Sequence, residues 1–173
     1  MEEYEKAIEF EIGDKVVHPY HGAGIVIGIE ERDFTEEFRR YYVIDLIAYN
    51  GILMVPITNA QKIGLRQVCE TSAIPRVMEI LCAPPNELPE DHKERRAWLE
   101  EKMKDRDIES VTEVVRDLAW RERRDGLTTV DARLYEEAQT FLASELALVE
   151  GMELEEAKEK LHAILEKGWS NSA

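Results

Sequence analysis

The apolar residues of this chain repeat with one period up to about residue 66 and with another beyond it, and no single layer of structure can serve both. In the first stretch the runs are short, β-branched and broken by glycine, as in strands whose side chains alternate between two faces. In the second, apolar residues recur at i, i+3, i+4 and i+7, as on one face of a helix. A sheet face and a helix stripe must each be buried, so the switch predicts two small units, a β-domain over residues 1–68 and a helical domain over 69–173.

The first unit divides into identifiable strands. Residues 14–18 are followed by a Gly22-Ala23-Gly24 turn and then by a run at 25–29 that Gly28 interrupts. Glycine inside a strand marks a bulge or a bend, which a small barrel needs. A polar loop at 30–37 leads to a third run at 39–47. Asn50-Gly51 can supply the two positive-φ residues of a type I′ hairpin, and a strand returns over 52–57. Pro56 has no N–H to give to a ladder, so that strand ends there or lies at an edge. Four or five short strands with tight turns predict a small Tudor- or SH3-like β-barrel.

Helical spacing begins at residue 74, with Pro75 in the first turn, where a missing N–H does no harm. Pro84, Pro85 and Pro89 form a stiff extended break, the best candidate in the chain for a linker. A helix over 91–104 puts Trp98, Leu99 and Met103 near one face. Asp107 is a plausible cap for the next, whose stripe is Ile108, Val111, Val114, Val115, Leu118 and Ala119, and Gly126 stops it. Thr128 or Thr129 caps a third, which carries Leu134, Ala138, Phe141, Leu142, Leu146 and Leu148. Gly151 ends it, and 153–167 forms a last helix. The fold class is therefore α+β, an N-terminal Tudor/SH3-like small β-barrel followed by an all-α helical domain.

The net charge of −15 limits what such a protein can bind. Attachment to a polyanion gains from counterion release and needs clustered Lys and Arg. Any DNA contact must therefore come from a local patch opposed by the field of the rest of the molecule. Acids and bases nearly balance over 93–124, and acids predominate from 125 onward. The dense basic clusters are Arg95-Arg96 and Arg121 with Arg123 and Arg124. They read either as solvated helix faces laced with i, i+4 ion pairs or as local phosphate contacts.

Other chemistries find no residues to carry them. The apolar stretches at 24–29 and 43–48 are far short of a membrane span, and the acidic N-terminus does not read as a secretory leader, so a cytoplasmic location is expected. Cys69 and Cys82 have no second pair, and the four histidines lack metal-site spacing. No metal or cofactor is expected, and the cysteines read as buried thiols. No glycine-rich loop enters a helix and no nucleophile–base–orienter set can be assembled, so neither an enzyme nor a small-molecule substrate is expected.

A more specific signal lies in FEIGDKVVHPYHGAG at residues 10–24, with Tyr41-Tyr42-Val43, Met54-Val55-Pro56-Ile57 and Gly64-Leu65-Arg66. Together they resemble the opening domain of the CarD/CdnL family of bacterial transcription regulators, a module shared with the transcription-repair coupling factor. EVVRDL at 113–118, Gly126-Leu127 and SELAL at 144–148 are similar to the family's helical half, and the resemblance runs over about residues 10–165.

The resemblance implies docking of the β-domain on the β subunit of bacterial RNA polymerase, largely by edge-strand pairing. It points to Arg32, Met54, Val55 and Pro56 for that contact, with packing as the alternative role for Met54. It also implies that the helical domain touches the upstream edge of the bubble in the open promoter complex. Family members there insert a tryptophan into the minor groove beside phosphate-binding arginines. That wedge position falls at about His92, and Arg95 and Arg96 match the arginine pair to within one residue. Trp98, six residues further on, reads as packing or as a relocated wedge. Ala132, Glu136 and Glu137 stand where the family has DNA-facing lysines. Arg121, Arg123 and Arg124 complete the candidate DNA set.

Three readings stay open on sequence. One is a polymerase-binding regulator of initiation that meets promoter DNA through weak, non-specific, tethered contacts. Another is a polymerase-binding adaptor whose acidic helices do not contact DNA. The last is a helical scaffold whose barrel takes an unrelated ligand.

Overall fold

The computed structural model describes residues 9–38 and 40–172. The chain divides into two compact units, Met1–Val68 and Cys69–Ala173. The first contains β1 (Lys15–His18), β2 (Gly22–Glu31), β3 (Arg40–Leu46), β4 (Ile52–Pro56), the short helix α1 (Ala60–Ile63) and β5 (Arg66–Gln67). The predicted start of the third strand at Arg39 lies outside the described residues. The strands form one antiparallel sheet in the order β4-β3-β2-β1-β5. β4 and β5 are its edges, and Pro56 ends β4 as its missing N–H requires.

The sheet folds around Phe10, Val16, Val26, Tyr42, Ile44, Val55 and Leu65. Phe10 N–H donates to the Tyr42 hydroxyl oxygen at 3.0 Å, and the two rings meet edge to face at 5.5 Å. The register of β2 against β3 slips between Val26 and Gly28, which is the bulge expected near that glycine. At Gly24 a Cβ would sit 2.6 Å from Ile44 Cγ2 and 2.7 Å from Asp45 O, so only glycine lets the two strands approach this closely.

One local expectation is corrected, and one short helix adds to the elements expected. Asn50-Gly51 does not form a type I′ turn, because neither residue has positive φ. Pairing of β3 with β4 stops at Asp45–Ile52, and the connection reverses through Gly51 N–H on Tyr49 O at 2.7 Å and Leu46 N–H on Gly51 O at 3.2 Å. A longer connection turns without left-handed residues. Helix α1 was not anticipated; it lasts one turn before Gly64 ends it at φ 91°.

The second unit contains α2 (Ile74–Cys82), α3 (His92–Met103), α4 (Ile108–Asp125), α5 (Thr129–Glu150) and α6 (Leu154–Asn171). α4 lies at its centre, against α2, α3 and α5, and its predicted stripe is buried from Val111 to Ala119 with Ile108 half-buried. Caps stand where expected. Asp107 accepts from Ser110 N–H at 3.0 Å and Thr128 from Asp131 N–H at 3.2 Å, while Gly126 and Gly151 close α4 and α5. Cys69 and Cys82 are half-buried rather than buried and form no disulfide.

The proline segment is not a linker between the units; it belongs to the second. Asn86 donates from its backbone to Asp117 Oδ1 at 3.0 Å and from its side chain to Oδ2 at 3.1 Å. Asp117 is fully buried and also takes Arg116 Nε and Nη2, each at 2.8 Å. Burial pushes its carboxyl above the usual range, and the Arg116 charge and Asn86 donors oppose that rise.

Arg95 requires the largest correction. It is 2% exposed, on the inner i, i+4, i+8 row of α3 with Leu99 and Met103. Its Nε and Nη2 each reach Asp131 Oδ2 at 2.9 Å, and Nη1 donates to Pro89 O at 3.0 Å and Glu90 O at 2.9 Å. A guanidinium so enclosed cannot touch DNA. Arg95→Ala is expected to lower stability by about 3–5 kcal/mol, because it strands a buried carboxylate. Arg96→Ala, on the exposed side, should change it by roughly 0.5 kcal/mol or less. Urea denaturation of both variants checks the contrast.

His18 adds a pH dependence. Burial, and then the charge of neighbouring His21, lower its pKa from 6.5 to about 4. The bond from Tyr20 N–H to His18 Nδ1 at 3.1 Å also requires an unprotonated nitrogen. The unfolded chain therefore takes up this proton near pH 6.5 while the folded one resists to about 4. Stability is fully present above pH 6.5 and is lost as pH falls through that window. Urea midpoints should drop between pH 7 and pH 5, and His18→Gln should flatten that drop.

Candidate interaction surfaces

On the β-unit the longer of the two edge strands is β4. Alternation along this strand turns Leu53 and Val55 toward the core and leaves Ile52, Met54 and Pro56 on the other face. Val55 is 2% exposed, so its side chain cannot be a contact residue; only its backbone is at the edge. Met54 and Pro56 are half-buried, and Ile52 is 61% exposed. Sequence reasoning missed Ile52, although its period-2 spacing from Met54 placed it on the same face.

Arg32 follows the last residue of β2. The registers Glu30–Tyr41 and Tyr41–Pro56 place it at the Pro56 end of the sheet. Its side chain is half exposed and paired with Glu30 at 2.6 Å. Phe34, in the loop beyond, lies against Tyr41 with ring centroids 5.4 Å apart and is itself well exposed. This end of the sheet thus combines an unpaired β4 backbone, an apolar strip on β4 and, two strands in, one cation held by an acid.

In the helical unit the predicted basic set does not form one surface. His92 begins α3 after Asp91, whose carboxyl lies below its ordinary range chiefly through the Glu94 N–H. His92 and Arg96 are exposed one turn apart, and Arg96 Nε is bound to Glu100 at 2.8 Å. Trp98 is half-buried with Lys102 Nζ 5.8 Å from its ring centre, and Lys102 in turn bonds Glu113. Trp98 is thus partly covered, with Lys102 over its ring.

The end of α4 is different. Arg124 is exposed and 3.5 Å from Asp125. Arg123 is exposed, with its guanidinium carbon 4.8 Å from the Trp169 ring centre. Trp169 in turn meets Trp120 edge-on at 6.4 Å and His162 at 6.1 Å. Neither Arg121 nor Arg123 forms an ion pair with a described residue. Arg121 Nε and the two indole N–H groups are enclosed without an acceptor among the described residues. Such groups cost about 1–3 kcal/mol each while unbonded. Sequence reasoning overlooked Trp120 and Trp169 because they are distant in the chain and meet only where α4 and α6 converge. Among the described residues no helix is long and apolar enough to cross a membrane, and no cluster of possible metal ligands occurs.

Both units have recognisable relatives. Residues 10–69 match the family described as CarD-like/TRCF RID domain, and residues 76–162 match that described as CarD, C-terminal domain. A Bacillus subtilis (strain 168) protein named "Putative transcription factor YdeB" is 34% identical over 143 residues, covering 83% of this chain and 94% of that one. An antiparallel sheet with an open β4 edge, followed by a helical unit, is the arrangement these two matches span in order, and the chain belongs to the CarD/CdnL family.

Proposed function

We propose that this protein is a transcription regulator that binds the β subunit of bacterial RNA polymerase and acts on the open promoter complex. The observation that carries the reading is the unpaired outer edge of β4, with Ile52, Met54 and Pro56 on one face and Arg32 at the same end. Strand addition at such an edge draws affinity from main-chain bonds, and flanking side chains tune it. Val55 takes part through its backbone alone.

The helical unit meets upstream DNA through Arg121, Arg123 and Arg124 at the end of α4, and through His92 and Arg96 on α3. Trp98 supports that face by packing. These contacts are to phosphates, which position a protein without reading sequence. At a net charge of −15 they matter when polymerase supplies the local concentration.

A second reading, an adaptor whose helices recruit another protein, draws support from the pairing of Arg96 with Glu100 and Arg124 with Asp125. Cations already matched by carboxylates have less to offer a phosphate.

Replacing Ile52 and Met54 together by Glu in the full chain should weaken retention on immobilised RNA polymerase at least about tenfold, or ~1.4 kcal/mol. Thermal unfolding should move little, since Ile52 is exposed and Met54 faces outward. Undiminished retention would reject the edge. Arg96→Glu with Arg124→Glu separates the two readings: a DNA contact predicts an altered open-complex lifetime with polymerase retention intact, and an adaptor predicts no change.

A further inference from the structure

The basic residues at the end of α4 are not equivalent. Arg124 is turned toward Asp125, whereas Arg123 lies against the Trp169 ring. With its guanidinium carbon 4.8 Å over the Trp169 ring centre, Arg123 is restrained by the ring while its N–H donors stay available. That pre-organisation suits a tetrahedral oxyanion, which accepts two parallel N–H bonds from such an edge. Trp120 and Trp169 meet edge-on beside it. Their indole N–H groups, with Arg121 Nε, are enclosed donors with no acceptor among the described residues. The C-terminal end of α4 is an unusual place for an anion, because helix carbonyls point there. Over residues 121–125 three arginines outnumber Glu122 and Asp125 by one, which leaves the segment locally positive.

We infer that Arg123, held on Trp169 and flanked by Arg121 and Trp120, clamps one backbone phosphate of promoter DNA. This rests on the reading that the helical unit meets DNA in the polymerase complex, and it deepens that reading by moving the principal contact from α3 to the α4–α6 junction. Arg123 supplies the bidentate edge, Arg121 the second cation, and the indole pair the rigid backing. Arg96, already bound to Glu100, is peripheral.

The test uses the full chain with RNA polymerase on a promoter, scoring polymerase retention and open-complex lifetime together. The expected result is that Arg123→Gln retains polymerase and removes most of the lifetime change produced by the unaltered protein. Arg123→Lys should recover less than half of it, since lysine keeps the charge but loses the stack and the fork. Trp169→Phe, folded by thermal unfolding, should fall between the two. A promoter scanned with single neutral methylphosphonates should show one upstream position that weakens the unaltered protein several-fold and leaves Arg123→Gln unaffected.

Full activity of Arg123→Lys, or of Arg123→Gln, overturns the clamp. Loss of activity in Arg96→Glu with Arg123→Gln unaffected would return the DNA contact to α3 and leave the broader reading standing. No lifetime change by the unaltered protein, despite polymerase retention, would remove the DNA reading itself.

Discussion

One buried guanidinium ties the irregular part of the helical unit to its helices. Arg95 links three parts of the chain: the extended segment at Pro89 and Glu90, the first turns of α3, and the start of α5 at Asp131. Removing a charged pair from water is costly, and the cost is met only when every donor finds an acceptor in good geometry. Here each guanidinium nitrogen has a partner, through two bonds to Asp131 and two to backbone carbonyls. Arg116, Asp117 and Asn86 repeat the device a few residues away, pinning the proline segment to α4. Both arrangements order an irregular segment that could not be held by apolar packing alone.

Their consequence for function is subtractive. A residue spent on internal pairing is withdrawn from the surface, so the basic content of the helical half overstates what it can offer a polyanion. Surface pairing acts in the same direction more weakly, because Arg32, Arg96 and Arg124 each face a nearby acid. Exposed pairs of this kind contribute little to stability and are screened by salt. An arriving phosphate or carboxylate must nevertheless displace the acid first. Against this background the stacking of Arg123 on Trp169 stands apart, since a ring orients the guanidinium without occupying its donors.

In the β-unit the governing constraint is geometric. Gly24 permits β2 and β3 to pack closely, and the bulge at Ile27 then bends β2. Pleating fixes which side chains of β4 face the core, and the order of the sheet leaves that strand with one unpaired border. The side chains of β4 are thereby sorted by parity: those of Ile52, Met54 and Pro56 face outward, and those of Leu53 and Val55 face the core.

Periodicity, caps and punctuation were legible in the chain itself. The change from alternation to helical spacing located two kinds of structure. Asp107, Thr128, Gly126 and Gly151 marked helix ends, and Pro56 marked a strand end at an edge, because each of these effects acts within a turn or two of backbone. The motif at 10–24 with EVVRDL at 113–118 was enough to identify the family. What the sequence could not determine was decided by partners remote along the chain. Arg95 looked like a surface cation until Asp131, 36 residues away, was placed beside it. Trp120 and Trp169 meet only because α4 and α6 converge. Asn50-Gly51 was free of a tight turn because pairing of β3 with β4 stops short of it. Local rules fix where elements begin and end; only tertiary packing decides which charges are buried and which remain for a partner, because desolvation depends on everything that surrounds a group.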